Sequence, residues 1–227
     1  MSVPRIITLL LTVFSHCSVF SQLSAIGVGG GGAFSNFKYG EQISNVDQFD
    51  STPKGGGTGG IRFDFDLGSD YLKLSPEFFV VQNGAKEYYN DFNALQNDLI
   101  NRKVSLDYLG IYLPLTFYLP LSDNTETYNG LLLQGRVFAD YVVNGQIRDN
   151  VMGTEDVKFK RKSDKFDYGY SFEAGFVVNG LKLMFGYNWG IKNIEFSNAI
   201  GDINSGNYLI NNKGFTIQLG YLINIDK

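Results

Sequence analysis

A two-residue period runs through most of this chain and limits it to strands. Successive side chains on a β-strand point to opposite faces, so an alternation of apolar and polar residues marks a strand with two different environments. Residues Phe166–Val178 carry Phe166, Tyr168, Tyr170, Phe172, Ala174, Phe176 and Val178 on the even positions, against Asp167, Gly169, Ser171, Glu173 and Gly175 on the odd ones. Residues Leu181–Ile191 set Leu181, Leu183, Phe185, Tyr187, Trp189 and Ile191 against Lys182, Met184, Gly186, Asn188 and Gly190. Ile61–Leu67 and Lys213–Ile225 alternate in the same way. Four looser segments, Ala25–Phe37, Leu72–Val81, Leu106–Leu119 and Leu131–Val143, bring the expected number of strands to eight. Leu106–Leu119 is apolar on both faces, and its parity is expected to slip near Gly110.

The connections predict the layout. Lys38–Gly57, Gly84–Lys103, Gly145–Lys165 and Asn193–Asn212 are long, and Pro120–Asn129 is intermediate. Gly68–Asp70 reads as a tight turn and Asn179–Gly180 as a two-residue hairpin turn. Long loops at one end and short turns at the other are the layout of an outer-membrane barrel. The expected fold is all-β: an eight-stranded antiparallel up-and-down transmembrane β-barrel with four long extracellular loops and short periplasmic turns.

Alternation alone does not say which face looks outward, because a soluble lipocalin-like barrel also alternates, with its apolar face inside. Composition favours the inverted arrangement. Aromatics make up 15% of the chain and there are 27 glycines, well above the usual ~7% share of glycine. An eight-stranded barrel is only just wide enough for side chains to fill, so large Phe, Tyr and Leu fit better against lipid. The small-residue face carries charges of both signs: Arg62, Asp64, Asp66, Lys73, Glu77, Arg136, Asp140, Glu173 and Lys182. These are expected to form a salt-bridged lumen network. The last strand places Gln218, Gly220, Ile223 and Ile225 at a spacing that resembles the C-terminal signal read by the barrel-insertion machinery. Outer-membrane lipid and that machinery are therefore the expected contacts.

Residues 1–21 read as a signal peptide, with Arg5 before the apolar run Ile6–Phe14 and a cut after Ser21, leaving 22–227 as the barrel domain. The single His and single Cys of the chain, His16 and Cys17, both lie in this leader. The remainder is therefore expected to have no disulfide, no thiol or histidine catalysis, no Cys/His zinc site and no cofactor. A net charge of −4 makes a general nucleic-acid binder a poor reading.

Four local patterns have bland explanations. Gly27-x-Gly29-x-x-Gly32 matches a dinucleotide fingerprint by letter but lacks the strand before it and the helix after it; small residues inside a narrow barrel explain it. Asp202-Ile203-Asn204-Ser205-Gly206-Asn207 is a poor calcium loop, with Lys213 where the bidentate Glu belongs. Lys158, Lys160, Arg161, Lys162 and Lys165 form a basic cluster that could contact surface phosphates, although Glu155, Asp156 and Asp164 dilute it. Phe92, Leu95 and Leu99 have helical spacing in the second long loop and could offer a partner a short apolar stripe.

Several segments together resemble the PorT-like outer-membrane β-barrel family of Bacteroidota. Leu74-Ser75-Pro76-Glu77-Phe78 is similar to the family's L-x-P-E-L strand, and Tyr108-Leu109-Gly110-Ile111-Tyr112-Leu113-Pro114-Leu115 to its Y-L-x-I-P-L strand. Leu133-Gln134-Gly135-Arg136-Val137-Phe138-Ala139-Asp140-Tyr141 resembles L-x-G-x-Y-x-x-Y, with Phe138 for the first Tyr. Phe166-Asp167-Tyr168-Gly169 and Tyr187-Asn188-Trp189-Gly190-Ile191-Lys192-Asn193-Ile194 resemble F-D-x-G and Y-x-x-G-L-x-N-I. The resemblance implies an eight-stranded outer-membrane barrel, and the family's namesake member serves export through the type IX secretion system, although most relatives have no assigned activity. With no His outside the leader, the expected role is non-enzymatic, structural or accessory, supporting a secretion or surface complex such as the type IX secretion system. A small-solute channel is the alternative, and a soluble apolar-ligand binder ranks below both.

Overall fold

The computed structural model describes residues 22–39, 50–69, 71–90, 99–121, 129–150, 153–159, 161–192, 194–196 and 208–225. The strands are β1 (Gln22–Tyr39), β2 (Asp50–Asp66), β3 (Leu72–Leu74), β4 (Glu77–Asn90), β5 (Leu99–Pro120), β6 (Gly130–Asp149), β7 (Gly153–Asp156), β8 (Phe166–Val178), β9 (Leu181–Gly190), β10 (Ile194–Phe196) and β11 (Tyr208–Asn224), with a short 3-10 helix at Lys162–Lys165. The expected leader, Phe92, Leu95, Lys160 and the 202–207 loop lie outside the described residues. Leu99, the last member of the expected helical stripe, is the first residue of β5.

β1 pairs antiparallel with β2 on one side and with β11 on the other, which closes the sheet on itself. The ring runs β1, β2, β4, β5, β6, β8, β9, β11 and back to β1. β3 and β4 make one wall, interrupted at Ser75 and Pro76, because proline has no N–H to give the ladder. The register passes through that break without offset, from Leu74↔Leu115 to Glu77↔Tyr112. β7 and β10 are short additions on β6 and β11.

The two faces separate as the alternation predicts. Val28, Phe34, Ile61, Phe78, Ile111, Val137, Phe172, Phe185 and Leu219 point outward and are exposed, while Arg62, Glu77, Gln134, Arg136, Glu173 and Lys182 are buried inside. Exposed apolar side chains on nearly every strand suit a wall in contact with lipid. Inside, three apolar clusters among the described residues occupy the lumen. Tyr118, Leu132, Val177, Met184 and Leu222 sit near the 179–180 turn. Phe79, Tyr112 and Phe138 belong to a second cluster, and Phe37, Leu106, Tyr108, Ile147 and Ile194 to one at the opposite end.

Two expectations need correction. β5 holds its even positions inward from Arg102 to Tyr118 and does not slip at Gly110. The irregularity belongs to its neighbour, where the register moves from Asp107↔Asn144 to Tyr108↔Val142. Val143 is the extra residue of this bulge, and the inward set of β6 changes there from even (Leu132 to Val142) to odd (Ile147). β5 looks apolar on both faces because its inner side supplies Leu106, Tyr108, Tyr112 and Tyr118 to the lumen clusters. In addition, β2, β4, β5, β6 and β11 run well into the segments expected as long loops. Their pairing continues beyond the apolar band with outward polar residues such as Lys86, Asn101, Lys103 and Arg148. The 179–180 turn is as expected: Asn179 and Gly180 both have positive φ, 51° and 81°, which a two-residue turn between twisted strands requires.

Candidate functional site

Six of the charged residues on the small-residue face meet inside the barrel as one network. Arg62 on β2 sends Nη1 to Glu77 Oε1 at 3.1 Å, and Nη2 to the hydroxyls of Ser75 and Thr116 at 2.8 and 3.0 Å. It also bonds Asp64, two residues along its own strand face, and Gln134 on β6. Arg136 on β6 reaches Glu173 Oε1 at 2.8 Å, Glu77 Oε2 at 3.4 Å and Asn188 Oδ1 at 3.0 Å, and its Nε donates to Ser171. Its guanidinium also lies 4.7 Å from the centre of the Tyr112 ring. Gln134 Nε2 donates to Glu173 Oε2 at 2.7 Å, and Lys182 Nζ stands 3.8 Å from Glu77 Oε1. A buried charge is tolerated only when paired and hydrogen-bonded on its remaining positions. Arg62, Arg136 and Glu173 meet that condition, whereas Lys182 rests on its charge contact with Glu77, beyond hydrogen-bond distance.

The expected lumen residues fall into three groups. Arg62, Asp64, Glu77, Arg136, Glu173 and Lys182 form the girdle itself. Lys73 and Asp66 form a satellite pair at 2.6 Å, joined by Ser24, whose hydroxyl donates to Asp66 at 3.0 Å. Asp140 is buried in the lumen but set apart, facing Asp167 across the β6–β8 pair. Ser75, Thr116, Gln134, Ser171 and Asn188 are neutral members that a search for charges misses. Asp167 shares the inward face of β8 with Glu173, and this shared parity was the available sign. A further buried pair, Glu87 and Arg102 at 3.4 Å, lies on the strand extensions.

Lys158, Arg161 and Lys162 are exposed, but Lys165 is half-buried, with its ammonium 5.9 Å from the Tyr141 ring centre and 5.8 Å from that of Phe159. Asp164 is buried among them and accepts from the Arg161 N–H at 3.0 Å.

Among the described residues, lumen side chains line cavities of about 20 and about 10 Å³. A single water needs roughly 10–15 Å³ on this measure, so each has room for little more than one. Arg62, Glu77 and Lys182 line the first, and Tyr112, Arg136, Asp140 and Asn212 the second.

Residues 6–222 match the family model of the outer membrane protein beta-barrel domain. No curated protein matches the chain. Among solved structures it is similar to the outer membrane protein OprG from Pseudomonas aeruginosa, at 12% identity over 89% of this chain and 97% of that one, with a TM-score of 0.45. It is also similar to Neisserial surface protein A, at 10% identity over 86% of this chain and 96% of that one, with a TM-score of 0.40. Ail, the attachment invasion locus protein of Yersinia pestis, is similar at 10% identity over 89% of this chain and 100% of that one, with a TM-score of 0.41. With a closed antiparallel ring, an apolar outer face and a family model spanning nearly its whole length, the chain is an outer-membrane β-barrel that belongs to the outer membrane protein beta-barrel domain family.

Proposed function

We propose that this protein is a non-conducting, non-enzymatic barrel that serves a structural or accessory role in the outer membrane, offering its loop end to partners. The observation that carries this reading is the contact of Lys182 with Glu77 from opposite walls, at 3.8 Å. Ions would have to break a shared charge network to pass. The resemblance to PorT-like barrels supports a secretion or surface complex, such as the type IX secretion system, as the setting. The confinement of His16 and Cys17 to the expected leader supports the absence of an enzymatic role. The barrel-insertion machinery would read the last strand during biogenesis.

Two experiments test this reading. Purified protein in planar bilayers should give no discrete openings; steady unitary steps would favour the small-solute channel instead. On a native gel of detergent-solubilised outer membranes the chain should migrate within a large complex. A band of monomer size would overturn the accessory role and leave a stand-alone structural barrel.

A further inference from the structure

The strand extensions carry charge on both faces, and the two faces differ. On the inner face Arg102 meets Glu87 at 3.4 Å, and both are buried. On the outer face the register sets Lys86 of β4 directly opposite Lys103 of β5, and Lys103 directly opposite Arg148 of β6. All three side chains are exposed. The same rung ends on Thr52 of β2 at one side and Thr154 of β7 at the other. Five strands thus contribute three cations and no carboxylate.

Side chains directly opposite on neighbouring strands stand about 4.5–5.5 Å apart at Cβ, where like charges repel. None of the three cations has an ion-pair partner among the described residues. Two carboxylates share this outer face. Asp107, four residues from Lys103 on β5, accepts from Gln82 Nε2 at 2.9 Å and from Asn144 Nδ2 at 3.0 Å. Asp156 of β7 stands opposite Gln146, off the row. The row therefore keeps its repulsion, and an anion from outside the chain would relieve it.

The height of the row says which anion fits. On β5 the exposed apolar face ends at Leu109, beside Val80 of β4 and Tyr141 of β6. Lys103 lies six residues farther out, roughly 20 Å along the strand and, at the usual tilt, roughly 15 Å above the apolar edge. The headgroup layer of a phospholipid bilayer is only about 5–8 Å deep on each side. The row thus stands above the phosphates of ordinary phospholipids. It matches anions carried higher, on the sugars of a glycolipid.

We propose that Lys86, Lys103 and Arg148 bind phosphate groups on the sugars of a phosphorylated glycolipid, of the lipopolysaccharide class, in the outer leaflet. A phosphate seated between two rungs turns each like-charge contact into an attraction shared by two cations. Arg148 offers a planar fork of donors matched to phosphate oxygens, and the lysines act as point charges. The site lies on the outer wall and needs no opening of the lumen.

The test is to refold the full chain into detergent micelles and titrate it with a rough-type lipopolysaccharide phosphorylated on its core sugars, reading binding by microscale thermophoresis. The triple variant Lys86→Gln, Lys103→Gln, Arg148→Gln should bind roughly tenfold or more weakly. Lys213→Gln, the loss of one charge on β11 across the ring from β5, should bind as the unaltered chain does. The same glycolipid stripped of its phosphates should lose affinity as the triple variant does. Without glycolipid, Lys103→Gln should raise the thermal midpoint, because it removes two like-charge contacts; this also shows that the variant folds. Equal binding by the triple variant, or of the dephosphorylated glycolipid, would overturn the proposal. Equally tight binding of micelles containing phosphatidylglycerol would also overturn it, by placing the contact at the phospholipid level, as would the absence of binding by the unaltered chain.

Discussion

Lys182 on β9 and Glu77 on β4 are four strands apart in a ring of eight, on opposite walls, yet their charged groups are 3.8 Å apart. Glu77 also receives Arg62 and Arg136, so three cations from three strands converge on one carboxylate. The lumen is thereby bridged across its width, and Glu77 is the point on which the bridge depends.

Glu77→Gln should therefore be the costliest single neutralisation in the barrel. Removing one member of a buried pair costs about 3–5 kcal/mol, because the partner charges stay buried. Asp66→Asn should cost less, since Asp66 is about a quarter exposed in its pair with Lys73. Urea unfolding of the two variants in detergent gives the order; an equal loss would mean that Glu77 is not central.

The outer face should reject charge. Phe172 is 54% exposed on β8, and Phe172→Arg should cost about 2–4 kcal/mol at membrane depth. Its inward neighbour Ser171 accepts from Arg136, so Ser171→Ala should cost about 1–2 kcal/mol through that lost bond. Refolding yields into lipid vesicles across a urea series would measure both.

Two glycines should behave differently on methylation. A Cβ at Gly175 would come within 2.0 Å of the Leu183 carbonyl and 2.5 Å of Met184 Sδ, whereas at Gly135 nothing lies within 4 Å. Gly175→Ala should destabilise by about 1–3 kcal/mol or more, through forced backbone movement. Gly135→Ala should be close to neutral. Similar midpoints for the two variants would show that the wall at Gly175 is not closely packed.

Gly180 holds φ at 81° in the β8–β9 turn. Gly180→Val should cost about 1–2 kcal/mol for the left-handed conformation and slow refolding of that hairpin. Unchanged refolding kinetics in stopped-flow tryptophan fluorescence, read from Trp189, would contradict this.

The architecture was legible because the physics is periodic. A strand with one lipid face and one packed face must alternate, and Phe166–Val178 does so residue by residue. The β6 bulge was not legible, because an extra residue leaves no mark except a change of parity, and Val143 is apolar on either reading. The strand extensions were missed for a related reason: above the lipid band nothing requires an outward apolar side chain, so polar strand and polar loop look alike. The charged members of the girdle could be read from face parity. Gln134 and Thr116 could not, because neutral hydrogen-bonding residues are also common on solvated faces. Asp167 could be placed inside by parity, but its pairing with Asp140 required the β6–β8 register.

Nitroxide labels placed singly along β6 from residue 131 to 141 test the account most directly, by accessibility to oxygen, which concentrates in lipid, and to a water-soluble nickel chelate. The account predicts high oxygen accessibility at odd positions such as Leu133 and Val137, and low accessibility to both reagents at even positions such as Gln134 and Phe138. Even positions open to the nickel chelate would mean a water-filled lumen, and would contradict a barrel closed by its own charges.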